Sequence, residues 1–237
     1  MFKVLYALQP SLHYLMKAQV HTWTHKSFTL DVRKSYLKSW SQQTLKRLNV
    51  HLKTRGRPST KPCLFVGNHI SYLDIVLLLN KVPASFLAKK EIGKWPVIGN
   101  AARFLNTVFV DRQSKDSRKQ SAERVMHKLV QEKGQVVIFP SGTTSIDESV
   151  SWRLGAFRIA KESRVPIQPF RIVYKPVESV AFLGEDLFLP HMHRLTKQPR
   201  IEAYLEFGKP SFVNNVERDM NAVKGWVNSG KSPRRLS

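Results

Sequence analysis

The sequence predicts an α/β fold, in which a largely parallel central sheet is flanked by helices and preceded by an N-terminal amphipathic helical segment. Beyond residue 62, short apolar runs alternate with stretches of helical periodicity, which is the pattern of β-α-β units. The chain has 237 residues, of which 42% are hydrophobic, so it can bury a sizeable core in one or two domains. We therefore expect an α/β domain over residues 48–228.

The first 47 residues are predicted to form basic amphipathic helices. Leucines recur there at helical spacing, at Leu5, Leu8, Leu12 and Leu15, and a second helix is expected over about residues 28–48. Residues 1–62 carry 12 Lys and Arg but a single acidic residue. Two interpretations are open: the helices lie on an anionic membrane surface, or their leucines pack on the body and their lysines are solvated. The one-sided charge favours the membrane.

Short apolar runs predict the strands, at residues 63–67, 85–88, 107–110, 136–139, 167–173, 180–183 and 201–207. Helical periodicity predicts helices over residues 71–80, 115–132, 153–162 and about 215–227. The polar and basic end, residues 229–237, is expected to be disordered.

The net charge restricts the partners. The chain has 39 Lys and Arg against 17 Asp and Glu, a formal charge of +22, which indicates a polyanionic partner. Nucleic acid, an anionic membrane surface and an acidic carrier protein all qualify. Nucleic acid is disfavoured because the chain has no zinc-finger, basic-zipper or aromatic RNA-binding signature, and its charge is concentrated on apolar-faced helices.

Cysteine and hydropathy restrict the compartment. The single cysteine, Cys63, excludes an intrachain disulfide and CxxC zinc sites, and is typical of a reducing compartment. No stretch approaches the roughly 20 apolar residues of a transmembrane helix. We expect a protein that is peripheral on the cytoplasmic face of a membrane.

Two pairs of histidines are spaced to share a face of one element: His21 with His25, and His191 with His193 on a predicted strand. No carboxylate completes a metal-ligand pattern with either pair, so no metal site is expected.

One segment carries the pattern of a proton-transfer site. Residues 68–74 read Asn-His-Ile-Ser-Tyr-Leu-Asp and join an apolar strand to an apolar helix. In an open α/β sheet such a loop is where ligands bind. His69 can take a proton from a hydroxyl while Asp74 orients its imidazole. Asp74 can equally complete a capping box with Ser71, and the two interpretations are compatible.

Three further segments place polar groups after predicted strands. Arg112 follows the strand over residues 107–110 and is suited to bind a phosphate or carboxylate. Residues 139–145, Phe-Pro-Ser-Gly-Thr-Thr-Ser, run into a turn where Gly142 and Thr143 offer backbone N–H donors. Residues 165–169, Val-Pro-Ile-Gln-Pro, open another strand. Each also has an ordinary interpretation, as a surface arginine, a turn and a strand entrance.

In this order, the four segments resemble the glycerolipid acyltransferase family, whose type member is lysophosphatidic acid acyltransferase. The family blocks NHxSxxD, GxxFxDR, FPEGTRS and VPxxP match residues 68–74, 106–112, 139–145 and 165–169. The resemblance spans about residues 48–210. It implies acyl transfer from a thioester, on acyl carrier protein or coenzyme A, to the hydroxyl of a lyso-lipid.

The resemblance also implies roles for individual residues. His69 would be the general base and Asp74 would orient it, with direct attack of the acceptor oxygen on the thioester and no acyl-enzyme. Arg112 and Lys89 would hold the anionic group of the acceptor, and backbone donors near Gly142 would bind the oxyanion. Neither a metal nor another cofactor is implied.

The chain departs from the family pattern in the second and third blocks, and Asn106 stands where the second block of the family opens with glycine. Ser141 stands where the family has glutamate and Thr144 where it has arginine, and with Thr143 these positions bind the acceptor in the family. Losing the cation weakens the case for a glycerol phosphate acceptor. The Thr-Thr-Ser ending is similar to that of lyso-ornithine lipid acyltransferases, so the acceptor is either lysophosphatidic acid or lyso-ornithine lipid. Asp147 and Glu148 could supply the missing carboxylate. An inactive lipid-binding relative is the alternative, and a nucleic-acid-binding protein is a weaker one.

Overall fold

The structure is a computed structural model that describes residues 3–7, 9–13, 16, 30–94, 98–184 and 186–230. The histidine pair His21 and His25 and the tail beyond residue 230 lie outside the described residues.

Seven strands form one sheet: β1 (Val50–Arg55), β2 (Cys63–Gly67), β3 (Ser85–Lys89), β4 (Val108–Val110), β5 (Gln135–Ile138), β6 (Ile167–Lys175) and β7 (Ile201–Phe207). Their order across the sheet is β1-β7-β6-β2-β5-β3-β4. Neighbouring described strands are parallel at every pairing except β6 with β7, which is antiparallel. The predicted fold class, a largely parallel sheet flanked by helices, is confirmed.

From residue 30 onward, eight helices are described around the sheet: α1 (Leu30–Arg47), α2 (Leu73–Lys81), α3 (Ile98–Phe104), α4 (Lys115–Val130), α5 (Gly155–Ser163), α6 (Val177–Val180), α7 (Phe188–Thr196) and α8 (Val216–Ser229). A 3-10 turn, Lys90–Lys94, follows β3. Side-chain caps begin two of the helices: Ser114 accepts a hydrogen bond from the N–H of Ser117 before α4, and Asn215 accepts one from Arg218 before α8.

The core lies on both faces of the sheet. All five residues of β2 are buried, as expected for a central parallel strand. Successive side chains alternate between the faces, so Phe65 packs in one cluster with Leu77 of α2, while Leu64 and Val66 pack in another with Phe157 of α5. This two-sided burial holds β2 rigidly in the middle of the molecule, and the loop that follows it is positioned accordingly.

Two sequence predictions about secondary structure are wrong. Residues 180–183 are not a strand: the helix α6 ends at Val180 and the backbone continues without regular structure. Val180 and Ala181 are apolar because they are buried in the core, and burial alone does not distinguish a short strand from a helical turn. His191 and His193 lie on the helix α7, not on a strand. The strand β1 was not expected at all.

The second half of the N-terminal segment packs against the body of the protein. Leu37 and Leu45 of α1 are 4% and 6% exposed and belong to the same core cluster as the leucines of α2. The Asn80 side chain of α2 donates a hydrogen bond to Ser41 Oγ of α1 at 3.3 Å. The inner side of α1 is therefore part of the folded core.

The helical residues 3–7 and 9–13 have two different sides. Ala7 is buried, and Trp40 of α1 donates a hydrogen bond from Nε1 to Ser11 Oγ at 3.1 Å. In contrast, Leu5 and Leu12 are 54% and 44% exposed. Within the described ranges, no helix combines the length and apolar character that a bilayer span requires.

Candidate active site

The loops after β2 and β5 meet at one edge of the sheet. The two strands are parallel neighbours, paired from Cys63 with Gln135 to Val66 with Ile138, so their carboxyl ends lie side by side. The next residues of each chain segment therefore touch: the His69 imidazole stacks on the Phe139 ring, with centroids 3.8 Å apart and planes inclined by 11°. This contact between two distant sequence blocks defines the centre of the candidate site.

The His69 ring is held by Asp74 in the first turn of α2. Nδ1 of His69 lies 2.7 Å from Oδ2 of Asp74. The same oxygen accepts hydrogen bonds from the N–H groups of Ile70 at 2.7 Å and Ser71 at 3.1 Å. Asp74 thus contacts the imidazole and also reaches back to the N–H groups before the helix. The capping box with Ser71 is only half formed, because Asp74 accepts from the Ser71 N–H while the Ser71 hydroxyl accepts from Leu73 and not from Asp74.

Tyr174, near the end of β6, completes this arrangement and was not predicted from the sequence. Its hydroxyl donates a hydrogen bond to Oδ1 of Asp74 at 2.7 Å. Both side chains are buried, with Asp74 at 0% and Tyr174 at 2% exposure. Burial and then the negative charge of Asp74 raise the pKa of Tyr174 well above its ordinary value, so the hydroxyl keeps its proton. No local signal marks this tyrosine, which is 100 residues from Asp74 in the chain.

Asn68 joins the loop after β2 to the neighbouring strand β6. Its amide Nδ2 donates to the carbonyl of Ile172, and its Oδ1 accepts from the N–H of Ile172, each at 2.8 Å. The side chain therefore replaces a strand residue in the sheet ladder just beyond the end of β2. This clamp fixes the backbone immediately before His69.

The imidazole faces a small open cleft. The His69 side chain is 18% exposed, and among the described residues its Nε2 has no hydrogen-bond partner. The cleft has a volume of about 10 Å³ and is lined by Asn68, Ser141, Ser145, Asp147, Glu148, Val150, Trp152 and Asn228 besides His69. A water or a hydroxyl group fits in such a space. The nitrogen opposite Asp74 can therefore accept a proton from a group that enters from outside.

The loop after β5 forms a tight turn against His69. The N–H of Gly142 donates to the carbonyl of Phe139 at 3.0 Å, and Gly142 has a φ of 71°, which favours glycine. The N–H of Ser145 donates to the carbonyl of His69 at 2.8 Å and ties the loop to the block after β2. The Gly142 amide is used within the turn, so the oxyanion role predicted near Gly142 depends on its neighbours.

The two positions of the third block that depart from the family pattern make contacts within the loop region. Ser141 is buried, and its hydroxyl donates to the carbonyl of Thr143 at 2.7 Å. The Thr144 hydroxyl donates to the carbonyl of Phe182 in the irregular segment after α6. Thr143 itself is exposed to solvent. The hydroxyl groups of Ser141 and Thr144 thus donate to backbone carbonyls. At Thr144, the arginine of the family pattern would present a positive charge instead.

Arg112 and Lys89 lie at the same edge of the sheet. A guanidinium nitrogen of Arg112 donates to the carbonyl of Gly142 at 2.5 Å, which joins the loop after β4 to the turn after β5. Burial lowers the pKa of Arg112, and the positive charge of Arg153 lowers it further, while Glu91 opposes them. Lys89 ends β3 with an exposed side chain. The structure thus links Arg112 to the central loop, and Lys89 stands at its margin.

Metal-ligating side chains do not gather in this region. Across the part of the chain that the structure describes, no group of three or more His, Cys, Asp and Glu side chains is arranged to hold a metal ion.

Comparison with known proteins identifies relatives of this chain. The family model described as Acyltransferase matches residues 47–173. A lyso-ornithine lipid O-acyltransferase of Pseudomonas aeruginosa is 32% identical over 192 residues, covering 79% of this chain and 74% of the relative. A protein of the same name from Brucella abortus is 31% identical over 180 residues, covering 68% of this chain and 67% of the relative.

A solved structure has the same fold. The crystal structure of the 1-acyl-sn-glycerophosphate acyltransferase from Thermotoga maritima matches with a TM-score of 0.70 at 20% identity, over 99% of this chain and 98% of that one. The family model covers more than half of the chain, and it includes the blocks that carry His69, Asp74, Arg112 and Gly142. The chain therefore belongs to the glycerolipid acyltransferase family, whose chemistry is O-acyl transfer.

Proposed function

We propose that this protein transfers a fatty acyl group from an acyl thioester to the free hydroxyl of a lyso-lipid, with His69 as the general base. The observation that carries the proposal is the His69–Asp74 pair at the carboxyl edge of the sheet, with 2.7 Å between Nδ1 and Oδ2 and with the His69 side chain in the lining of an open cleft. The Asp74 carboxylate accepts a hydrogen bond from the Nδ1–H group of His69. In the neutral imidazole the lone pair therefore lies on Nε2.

The reaction is a direct displacement at the thioester carbonyl. Nε2 of His69 removes the proton of the acceptor hydroxyl while the oxygen attacks the carbonyl carbon and forms the ester bond. The carbon–sulfur bond then breaks, and the leaving thiolate takes the proton from the imidazolium. Asp74 stabilises the imidazolium between these two steps, and general-base catalysis of this kind is worth roughly 10²–10⁴-fold in rate.

The oxyanion of the tetrahedral intermediate requires hydrogen-bond donors close to His69. The turn around Gly142 lies on the Phe139 side of the imidazole, so its backbone amides are the nearest candidates. Since the Gly142 N–H donates to Phe139, we assign the donor role to the following amide, that of Thr143, with Gly142 providing the left-handed backbone that turns it.

We propose lyso-ornithine lipid as the acceptor and lysophosphatidic acid as the second candidate. The arginine of the family pattern is replaced by Thr144, whose hydroxyl is engaged by the Phe182 carbonyl, so this position offers no cation to a phosphate monoester. Two relatives that are 31–32% identical to this chain over the aligned residues are named lyso-ornithine lipid O-acyltransferases. Arg112 and Lys89 then bind the anionic group of the acceptor.

The charge supports our proposals for the donor and for the location. A formal charge of +22 attracts both the acidic acyl carrier protein and the phosphates of acyl-coenzyme A, and it attracts an anionic membrane surface. We propose that the enzyme works at the cytoplasmic face of a membrane, where both substrates meet, with residues 1–47 contributing the membrane contact and residues 48–228 the catalytic domain.

The test combines one variant with a panel of acceptors. Purified protein is incubated with acyl carrier protein thioester or acyl-coenzyme A and with lyso-ornithine lipid, lysophosphatidic acid or lysophosphatidylethanolamine, and new esters are measured by mass spectrometry. We expect lyso-ornithine lipid to be acylated fastest. The change His69→Ala should lower kcat roughly 10²–10⁴-fold, while the variant still folds and unfolds cooperatively in urea.

The control is His127→Ala, which removes an exposed histidine of α4 and should leave the rate unchanged. Near-normal turnover by His69→Ala would contradict the mechanism. If no donor and acceptor pair gives an ester while lyso-lipids still bind, the chain is a lipid-binding relative without activity.

A further inference from the structure

A second and larger cleft opens at the opposite edge of the sheet. It is lined where three strands begin, by residues 58–60 before β2, by Ser85 of β3 and by Gln135 of β5. Its volume is about 270 Å³, close to the lower limit of roughly 300 Å³ for ligand pockets. Since β2 has five residues and a strand rises about 3.3 Å per residue, the two edges are about 16 Å apart. This cleft is therefore separate from the site of His69.

Four lysines from three helices and one turn line this cavity, which we call the basic cleft: Lys34 of α1, Lys81 of α2, Lys128 of α4 and Lys133 after α4. Among the described lining residues, Glu132 alone is acidic. The three helices are far apart in the sequence, so tertiary packing brings these lysines to one cavity. A cleft with low-dielectric walls and one sign of charge concentrates its field on a small anion.

Lys128 is the deepest of the four. It is 7% exposed, which is rare for a lysine, and its Nζ lies 3.6 Å from Oε1 of Glu132. The Glu132 carboxylate is 42% exposed and also lies 3.4 Å from Nδ1 of His127. A buried ammonium is stabilised by a counter-charge held close to it, as Glu132 is here, and an anion inside the cleft would add to that stabilisation.

Helix ends supply an alternative reason for lysines at this edge. The helices α2 and α4 both end here, and each carboxyl end carries roughly half a negative charge that favours nearby cations. Two ends amount to about one negative charge, whereas four lysines and one glutamate leave three net positive charges. By this count of lining side chains, the lysines outweigh the two helix ends.

We propose that the basic cleft binds a phosphate-bearing anion. Lysine ammonium groups bind phosphate as point charges, and the hydroxyls of Ser59 and Thr60 in the lining add uncharged hydrogen-bond donors. The phosphate comes either from a free phosphate compound or from the headgroup of an anionic lipid. Lys34 belongs to α1, which is part of the segment, residues 1–47, that we predict to contact the membrane, and this makes a lipid headgroup one of the two candidate sources.

The experiment compares two double variants with equal loss of charge. Lys81→Gln with Lys133→Gln removes two exposed lysines of the basic cleft and leaves the buried Lys128 in place. Lys161→Gln with Lys209→Gln removes two exposed lysines that do not line it. The probes are inorganic phosphate, measured by titration calorimetry, and phosphatidylglycerol vesicles compared with phosphatidylcholine vesicles, measured by cosedimentation.

We expect the cleft variant to bind at least one probe roughly tenfold more weakly, and the control variant to stay within about twofold of the unmodified protein. A loss for inorganic phosphate identifies a free phosphate ligand, and a loss confined to phosphatidylglycerol vesicles identifies a lipid headgroup. Equal weakening in both variants shows diffuse charge and overturns the proposal, as does unchanged or absent binding of both probes. Acyl transfer to a detergent-dispersed acceptor should be the same in both variants, so the outcome is independent of the catalytic proposal.

Discussion

At the scale of single residues, Asp74 is the best satisfied polar group of the site. It accepts hydrogen bonds from the Tyr174 hydroxyl and from the N–H groups of Ile70 and Ser71, and it pairs with the His69 ring. A carboxylate with no solvent exposure is tolerated only when its oxygens are bonded in this way. The consequence is a rigid imidazole, because every partner of Asp74 comes from backbone or from a buried side chain.

Removing the Tyr174 hydroxyl tests this role. The change Tyr174→Phe should lower the free energy of unfolding by about 1.5–3 kcal/mol, because a buried carboxylate oxygen loses its charged hydrogen bond. We also expect kcat to fall by roughly tenfold with an unchanged KM for the acceptor, since Tyr174 positions His69 through Asp74 and touches no substrate. The measurements are urea unfolding and steady-state kinetics.

The control is Tyr72→Phe, whose hydroxyl lies 2.8 Å from Nδ1 of His191 and not beside Asp74. It should lower stability without the same loss of kcat. An unchanged kcat in Tyr174→Phe would show that the tyrosine serves stability alone.

We predict that the free energy of unfolding falls at alkaline pH because the thiol of Cys63 is buried. Burial raises its pKa to about 12, from an ordinary value of 9.0. Below about pH 9 both the folded and the unfolded chain keep this proton, so the thiol contributes no pH dependence there. Between about pH 9 and 12 the unfolded chain releases the proton first, which favours unfolding by about 1.4 kcal/mol per pH unit.

Urea unfolding between about pH 8 and 10.5 measures this slope. The Cys63→Ala variant should be less stable at every pH because of the cavity, but its stability should fall less steeply above about pH 9. Identical slopes for the two proteins would contradict the assignment to Cys63.

At the scale of elements, one ion pair holds the single antiparallel junction of the described sheet. Arg171 of β6 lies directly opposite Glu206 of β7, with Nη2 to Oε2 at 2.6 Å and Nε to Oε2 at 2.9 Å. The guanidinium also lies 4.7 Å from the centroid of the Trp226 ring and donates to the Trp226 carbonyl. It therefore connects the helix α8 to both strands.

Breaking this pair should be costly. The two side chains are only 11% and 15% exposed, so Arg171→Met leaves a poorly solvated carboxylate and should reduce the free energy of unfolding by about 3 kcal/mol. The control is Arg55→Met, because Arg55 is 77% exposed and lies 3.8 Å from the same carboxylate, and its loss should cost about 0.5 kcal/mol or less. Equal effects in chemical denaturation would show that the Arg171 pair is screened by solvent.

At the scale of the whole molecule, the N-terminal segment has one side that packs on the body of the protein and another that is exposed. Each side agrees with one of the two interpretations, core packing and membrane contact. Leu37 and Leu45 of α1 pack into the core, as the packing interpretation expects. Leu5, Leu12 and Met16 are 54%, 44% and 63% exposed on a chain of strongly positive charge, as a membrane surface would require. Membrane contact by this outer side stays a prediction.

Replacing the exposed leucines tests it. Leu5→Asp with Leu12→Asp should weaken binding to phosphatidylglycerol vesicles at least tenfold, because each buried leucine is worth about 1.5–3 kcal/mol. The matched control is Leu187→Asp with Leu189→Asp, which changes two leucines that are 71% and 61% exposed near α7. Equal losses in both would place the membrane contact elsewhere or show that it is spread over the surface, and cosedimentation distinguishes these outcomes from the expected one.

The sequence by itself determined the fold class, most of the strands and the His69–Asp74 pair. These depend on information within a few residues: apolar runs mark buried strands, and five positions separate a histidine from a carboxylate across the start of a helix. Segment 180–183 was assigned wrongly for the same reason, since a short apolar run records burial and not backbone conformation.

Only the tertiary structure decided which distant groups share a site. Tyr174 reaches Asp74 from 100 residues away, Arg112 meets Gly142 across 30, and lysines from four elements line one cleft at the far edge. These neighbours depend on the order of strands across the sheet, which no local period encodes. The physical reason is that the hydrophobic period of a helix or strand specifies which of its sides is buried. The packing of the whole chain specifies which other residues that side is buried against.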